Sequence, residues 1–159
     1  MKTYESANGR HFPVPKCTRI GIGVYLNTRR IGPKVKIGND CILEKGTIIN
    51  GGATIGDGTQ IGPRCLIDTS ATVGDGVITG WNCKIGKGSS LGNRSYLFSG
   101  VVLEDGAIVE GNVVIGPAST ICKGVTVHSG ARIQGGCTVT EDVERYEVIL
   151  LRDDTPLTE

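Results

Sequence analysis

Residues 55–78 read as four lines of six: Ile55-Gly56-Asp57-Gly58-Thr59-Gln60, Ile61-Gly62-Pro63-Arg64-Cys65-Leu66, Ile67-Asp68-Thr69-Ser70-Ala71-Thr72 and Val73-Gly74-Asp75-Gly76-Val77-Ile78. Each line opens on an aliphatic residue and carries a small residue fifth. The pattern runs outward in both directions. Toward the N-terminus every sixth residue is Ile49, Leu43, Ile37 and Ile31. Toward the C-terminus it is Thr79, Ile85, Leu91, Leu97, Leu103, Val109, Ile115, Ile121, Val127, Ile133 and Val139, with Thr79 the one non-aliphatic residue in the series. The residue two places before each is small, from Val35, Cys41, Thr47 and Ala53 through Ala131, Cys137 and Val143. A fixed period over such a length decides the architecture before any local propensity does.

Six is a multiple of the two-residue strand repeat and not of the 3.6-residue helical turn. Each unit therefore reads as a short strand with its small and aliphatic residues pointing inward and the residue between them pointing out. Three further residues turn a corner. The corners are rich in residues that tolerate positive φ: Asn39-Asp40, Gly51-Gly52, Asp57-Gly58, Asp75-Gly76, Lys87-Gly88, Asp105-Gly106 and Lys123-Gly124. This pattern of aliphatic, often Gly, two variable residues, small, variable resembles the hexapeptide-repeat family. The resemblance implies a left-handed parallel β-helix in which three units make one triangular coil. Residues eighteen apart would then stack at roughly 4.8 Å. An all-β fold of about six coils is expected over residues 31–144, with an N-terminal cap over 1–30 and a C-terminal strand and tail over 145–159.

Composition agrees with a narrow aliphatic prism. Of 159 residues only 4% are aromatic, whereas 25 are Gly. Net charge is +1 with no basic run and no interleaved aromatics, which argues against nucleic acid as a partner. No apolar run approaches the roughly 18 residues of a membrane helix, and the opening Met1-Lys2-Thr3-Tyr4-Glu5-Ser6 lacks the apolar segment of a signal peptide. The expected location is cytoplasmic, without a membrane partner. Cys41, Cys65, Cys83 and Cys137 fall in the small inward seat, where a thiol behaves as a small hydrophobe. Cys65 and Cys83, one coil apart, are expected to stack as reduced thiols. No CxxC spacing marks a zinc site, so no metal is expected.

The outward residues sort into three faces. One shows Lys36, Thr54, Thr72, Ser90, Ile108, Thr126 and Glu144; the second Ile42, Gln60, Ile78, Tyr96, Val114 and Arg132; the third Ile48, Leu66, Lys84, Val102, Thr120 and Thr138. The edge between the second and third carries Pro63, Trp81, Phe98 and Pro117. An apolar edge of this kind marks an interaction site, and self-association is expected. The resemblance supplies the number: a homotrimer. At the termini, Ile20, Ile22, Val24 and Leu26 alternate as a strand does, and Gly21 with Gly23 is too short for a dinucleotide loop. After Val143 the period fails, because Arg145 stands where an aliphatic residue belongs; residues 147–151 read as a strand over the last coil.

The resemblance implies two chemistries. Gamma-class carbonic anhydrases bind zinc with three histidines, and this chain has two, His11 and His128. The acyltransferases of the family take an acyl group from coenzyme A or acyl carrier protein, with a histidine as general base. Imidazole suits that task because it titrates near neutrality. His128 is the candidate within the repeat, and Glu110, eighteen residues earlier, is expected directly beneath it to fix the ring's tautomer. Lower in the same column stand Gly92, Gly74, Gly56 and Gly38, a flat track suited to a pantetheine arm, with Gly92 and Gly74 nearest the pair. The expected activity is transfer of an acetyl or similar group from a coenzyme A thioester to a small-molecule hydroxyl or amine, on a sugar for example. The alternative is a non-catalytic trimeric scaffold or adaptor. The unbroken register leaves no room for the internal loop that often shapes the acceptor site, so an acceptor pocket must come from the terminal segments or a subunit cleft.

Overall fold

The computed structural model describes residues 3–5, 11–13, 18–21, 25–27 and 35–151. Cys17, Gly23, Ile31 and the tail beyond Leu151 lie outside the described residues, as does the side chain of His11. Every element among those described is a β-strand, and the chain is an all-β left-handed parallel β-helix. Three parallel sheets of six, eight and seven strands form the prism. Pairs such as Leu66 with Lys84, Thr72 with Ser90 and Ile78 with Tyr96 lie eighteen residues apart, one full coil. A separate antiparallel pair joins Thr3–Glu5 to His11–Pro13.

The aliphatic column fills the interior. Ile49, Ile61, Ile67, Ile85, Leu97, Leu103, Ile115 and Ile121 are fully buried. Each is worth roughly 1.5–3 kcal/mol before chain entropy is subtracted. The small seat does more than avoid bulk. Thr47, Thr59, Ser95 and Ser119 each donate a hydroxyl hydrogen bond to the carbonyl fifteen residues ahead, on Gly62, Gly74, Glu110 and Gln134, at 2.7–3.0 Å. Cys41, Cys65 and Cys83 donate to Gly56, Gly80 and Phe98 in the same way at 3.1–3.2 Å. Inward hydroxyls and thiols thus pair with corner carbonyls, of which that of Gly62 is buried. Cys65 and Cys83 stack as expected, buried and unbridged. Contact with Cys65, and then burial, push the Cys83 thiol up.

Thr79, the one departure from the aliphatic column, is also paired: its Oγ1 accepts the Gly62 N–H at 3.0 Å. The corners use positive φ at Gly and Asn, and also at Arg64, Ser70, Arg94, Ala118 and Tyr146, which residue type alone does not single out.

Both ends continue the prism. Arg19–Ile20 pairs with Ile42–Leu43, and Tyr25–Asn27 with Ile48–Asn50, so the N-terminal segment adds a strand to two of the sheets. At the other end the structure corrects the reading of Val143. It does not take the small seat. Val143 bridges Val127, and Val148–Ile149 pairs with Arg132–Ile133, a spacing of sixteen. Thr138–Val139 still pairs with Thr120–Ile121 at eighteen. Two residues are therefore missing from the turn after Val139, and Val143 sits in the aliphatic seat itself. Asp142 Oδ1 accepts the Thr126 N–H at 2.8 Å, replacing the carbonyl that the shortening removes. The loss of period after Val143 is a shortened coil, not the end of the helix.

Candidate active site at the His128 corner

His128 follows the inward Val127 at the corner between the six- and eight-stranded sheets. Its backbone N–H donates to Val143 O at 2.9 Å, which fixes the start of its corner. Glu110 occupies the same place one coil below. Its Oε1 lies 3.1 Å from His128 Nδ1, and its Oε2 accepts both the N–H and the hydroxyl of Ser129, at 2.8 and 2.9 Å. Both side chains are about one-third exposed, at 36% and 35%. An ionised carboxylate only accepts hydrogen bonds, so the proton belongs on Nδ1 and the lone pair on Nε2. The stacking expected of His128 and Glu110 is present, and so is their contact.

The Ser129 N–H, then its hydroxyl, then the His128 ring hold the Glu110 carboxyl below the usual range. A carboxylate lowered in this way adds stability that is present above the ordinary glutamate pKa. It is lost as pH falls through the lowered value. The pair therefore stays assembled at neutral pH and loosens in acid.

Residue reasoning did not find Ser129, because a serine one place past a histidine carries no signal until the corner folds it back over Glu110. It also did not find the residues above His128. With the shortened coil, Glu144 follows Val143 as His128 follows Val127, so Glu144 is not on the outward face expected for it but stacks over His128, with Arg145 over Ser129 and Tyr146 over Gly130. The Tyr146 N–H donates to Ser129 O at 3.1 Å, the bond that Gly130 makes to Gly111 O one coil below.

Gly92 and Gly74 have a packing reason of their own. A Cβ on Gly92 would run into the backbone of Glu110 and Gly111, and one on Gly74 into Asn93. At Gly38, Gly56 and Gly74 the space goes to a ladder of corner carboxamides and carboxylates. Asp57 accepts the Asn39 N–H, Asp75 that of Asp57, and Asn93 that of Asp75, at 2.8–2.9 Å. The close approach of successive coils accounts for these glycines without a ligand. Among the described residues no three His, Cys, Asp or Glu side chains converge as a metal site would need.

The apolar edge stands across the eight-stranded sheet from this corner. Trp81 is 59% exposed and Phe98 43%, and the rings of Tyr96 and Phe98 meet edge to face at 4.7 Å. Beside them Ile42, Gln60, Pro63, Ile78, Trp81 and Tyr96 line an open groove of about 420 Å³.

Residues 34–69 match a family model described as bacterial transferase hexapeptide (six repeats), and residues 82–117 one described as hexapeptide repeat of succinyl-transferase. No protein of curated function matches the chain in sequence. Similar solved structures include LpxA from Acinetobacter baumannii, at 18% identity and a TM-score of 0.48 over 82% of this chain and 58% of that one. The Francisella novicida UDP-N-acetylglucosamine acyltransferase is similar at 22% identity and a TM-score of 0.48, over 82% of this chain and 55% of that one. A histidine-to-asparagine variant of Caulobacter crescentus perosamine N-acetyltransferase, in complex with CoA and GDP-perosamine, has 20% identity and a TM-score of 0.39, over 68% of this chain and 50% of that one. The chain thus spans little more than half the length of the first two.

Proposed function

We propose that this chain, whose repeats match hexapeptide models over residues 34–69 and 82–117, transfers an acetyl or related acyl group from coenzyme A to a hydroxyl or amine of a small molecule. The observation that carries the reading is the Glu110–His128 pair, a base with its orienting carboxylate on a partly exposed corner. In the step proposed, His128 Nε2 removes the proton from the acceptor as the acceptor's O or N bonds to the thioester carbonyl carbon. The C–S bond then breaks, and the proton on Nε2 leaves with the thiolate. Glu110 stabilises the imidazolium formed between the two transfers. The pantetheine arm is assigned to the outer rim of the same corner, along Gly92 and Gly74 and outside the ladder of Asp57, Asp75 and Asn93. The five free thiols among the described residues suit a reducing compartment, and the cytoplasm is the proposed location.

Acetyl-CoA should raise the melting temperature. At a hundred times its Kd the expected stabilisation is about 2.7 kcal/mol. Thiol release from acetyl-CoA with a panel of amino sugars and simple alcohols then tests turnover. Absence of both effects favours the trimeric scaffold over the enzyme.

The Trp81 edge supports assembly as a homotrimer. Replacing Trp81 with Asp would place an unpaired charge at a buried contact and should weaken that assembly. Sedimentation that finds a monomeric wild type, or the same oligomer in both proteins, removes the proposal.

A further inference from the structure

The shortened coil between Val127 and Val143 does something for the His128 corner that no internal loop does here. At this corner the third position of every coil has positive φ: Asp40, Gly58, Gly76, Arg94, Asn112, Gly130 and then Tyr146 at 62°. Gly, Asn and Asp accept that conformation readily; Arg94 and Tyr146 are the two bulky side chains that hold it in this column, and Tyr146 is the one aromatic. Strain of this kind points toward function when the surroundings hold it in place. They do so here, through the Tyr146 N–H bond to Ser129 O and the pairing of Val148–Ile149 immediately after. A Cβ built on Gly130 would run into the Tyr146 ring, so the ring packs directly over Gly130, two residues past His128. The ring is nonetheless 74% exposed. An aromatic side chain held open to solvent over Gly130, two residues along the corner from His128, is poor use of a tyrosine as core and good use of it as a platform.

We infer that Tyr146 is the acceptor-specificity residue of the His128 site, stacking an acceptor whose hydroxyl or amine is carried on a ring. The inference rests on the acyl-transfer reading, but the contact itself needs no catalysis. A saturated ring offers an array of C–H groups to the tyrosine face, and an acyclic amino alcohol offers almost none. The two residues that were removed from the coil are what bring Tyr146, rather than a later residue, over Gly130.

The test uses methyl β-D-glucosaminide and ethanolamine as probes, followed by saturation-transfer NMR on the full chain. The pyranoside C–H signals should be saturated with wild type, Tyr146→Phe and His128→Ala, and lost with Tyr146→Gly and Tyr146→Asn. Ethanolamine should give no signal with any of them. Gly and Asn both suit the backbone at this position, so the ring-less variants should remain folded. If wild type turns over the glucosaminide, the KM of Tyr146→Gly should rise about threefold to tenfold, the usual worth of aromatic contact, with kcat within twofold. Pyranoside binding that survives in both ring-less variants, or is absent from wild type, overturns the assignment. Binding that depends on Tyr146 in a wild type that releases no thiol would uphold the platform and reject the acyltransferase.

Discussion

Replacing His128 with Ala should lower kcat by roughly 10²–10⁴, the usual contribution of a general base. The expectation follows from geometry. Glu110 Oε1 holds Nδ1 at 3.1 Å, so Nε2 is the nitrogen left to take a proton. Glu110→Gln should cost less than His128→Ala, because an amide still offers Nδ1 an oxygen acceptor. Ser129 bonds to the other oxygen of Glu110, which becomes the amide NH2 in the glutamine; the Ser129 hydroxyl can accept from that NH2, whereas the bond from the Ser129 N–H is lost. Kinetics with saturating acetyl-CoA and an acceptor found in the thiol-release screen measure both variants. Full activity in His128→Ala assigns the proton transfer elsewhere on the molecule.

The second large effect is on the scaffold. Gly92→Ala should destabilise the fold by roughly 1–3 kcal/mol or more, as forced overpacking does. Its new methyl would meet the Glu110 and Gly111 backbone, which belongs to the next coil and has no rotamer through which to move aside. Gly88→Asn should lie within roughly 0.5 kcal/mol of wild type. Gly88 has φ of 63° and nothing within 4 Å of the added Cβ, and Asn82 and Asn112 already hold such a φ in this chain. Urea denaturation of the two variants separates the reasons for glycine here: coil spacing at one position, backbone conformation at the other. A tolerant Gly92→Ala would instead mean that the coil spacing can yield, and a ligand reason for that glycine would regain weight.

The period of six determined the strand and the inward seats, because a repeat stacked on itself leaves each residue type one environment to occupy; the three-unit coil came from the family resemblance. Ile61, Ile85 and Leu103 are buried for the same reason that they recur. The same arithmetic put Glu110 beneath His128 and Cys65 beside Cys83. Where the repeat ceased, that logic had nothing to act on. Arg145 in an aliphatic position signals only that the register has changed, and a change of register can mean an end, an insertion or a deletion. Backbone hydrogen bonding decided among these. The Val127–Val143 bridge and the pairing of Ile133 with Ile149 continue the prism two residues short, with the Asp142 carboxylate filling the gap at the Thr126 N–H. That choice turns Arg145 and Tyr146 from an apparent tail, and Glu144 from an outward face, into the wall above His128. Ser129 belongs with them. Its value lies in a hydroxyl and an N–H that reach Glu110 across a corner, and a contact between coils exists only once the chain has closed on itself.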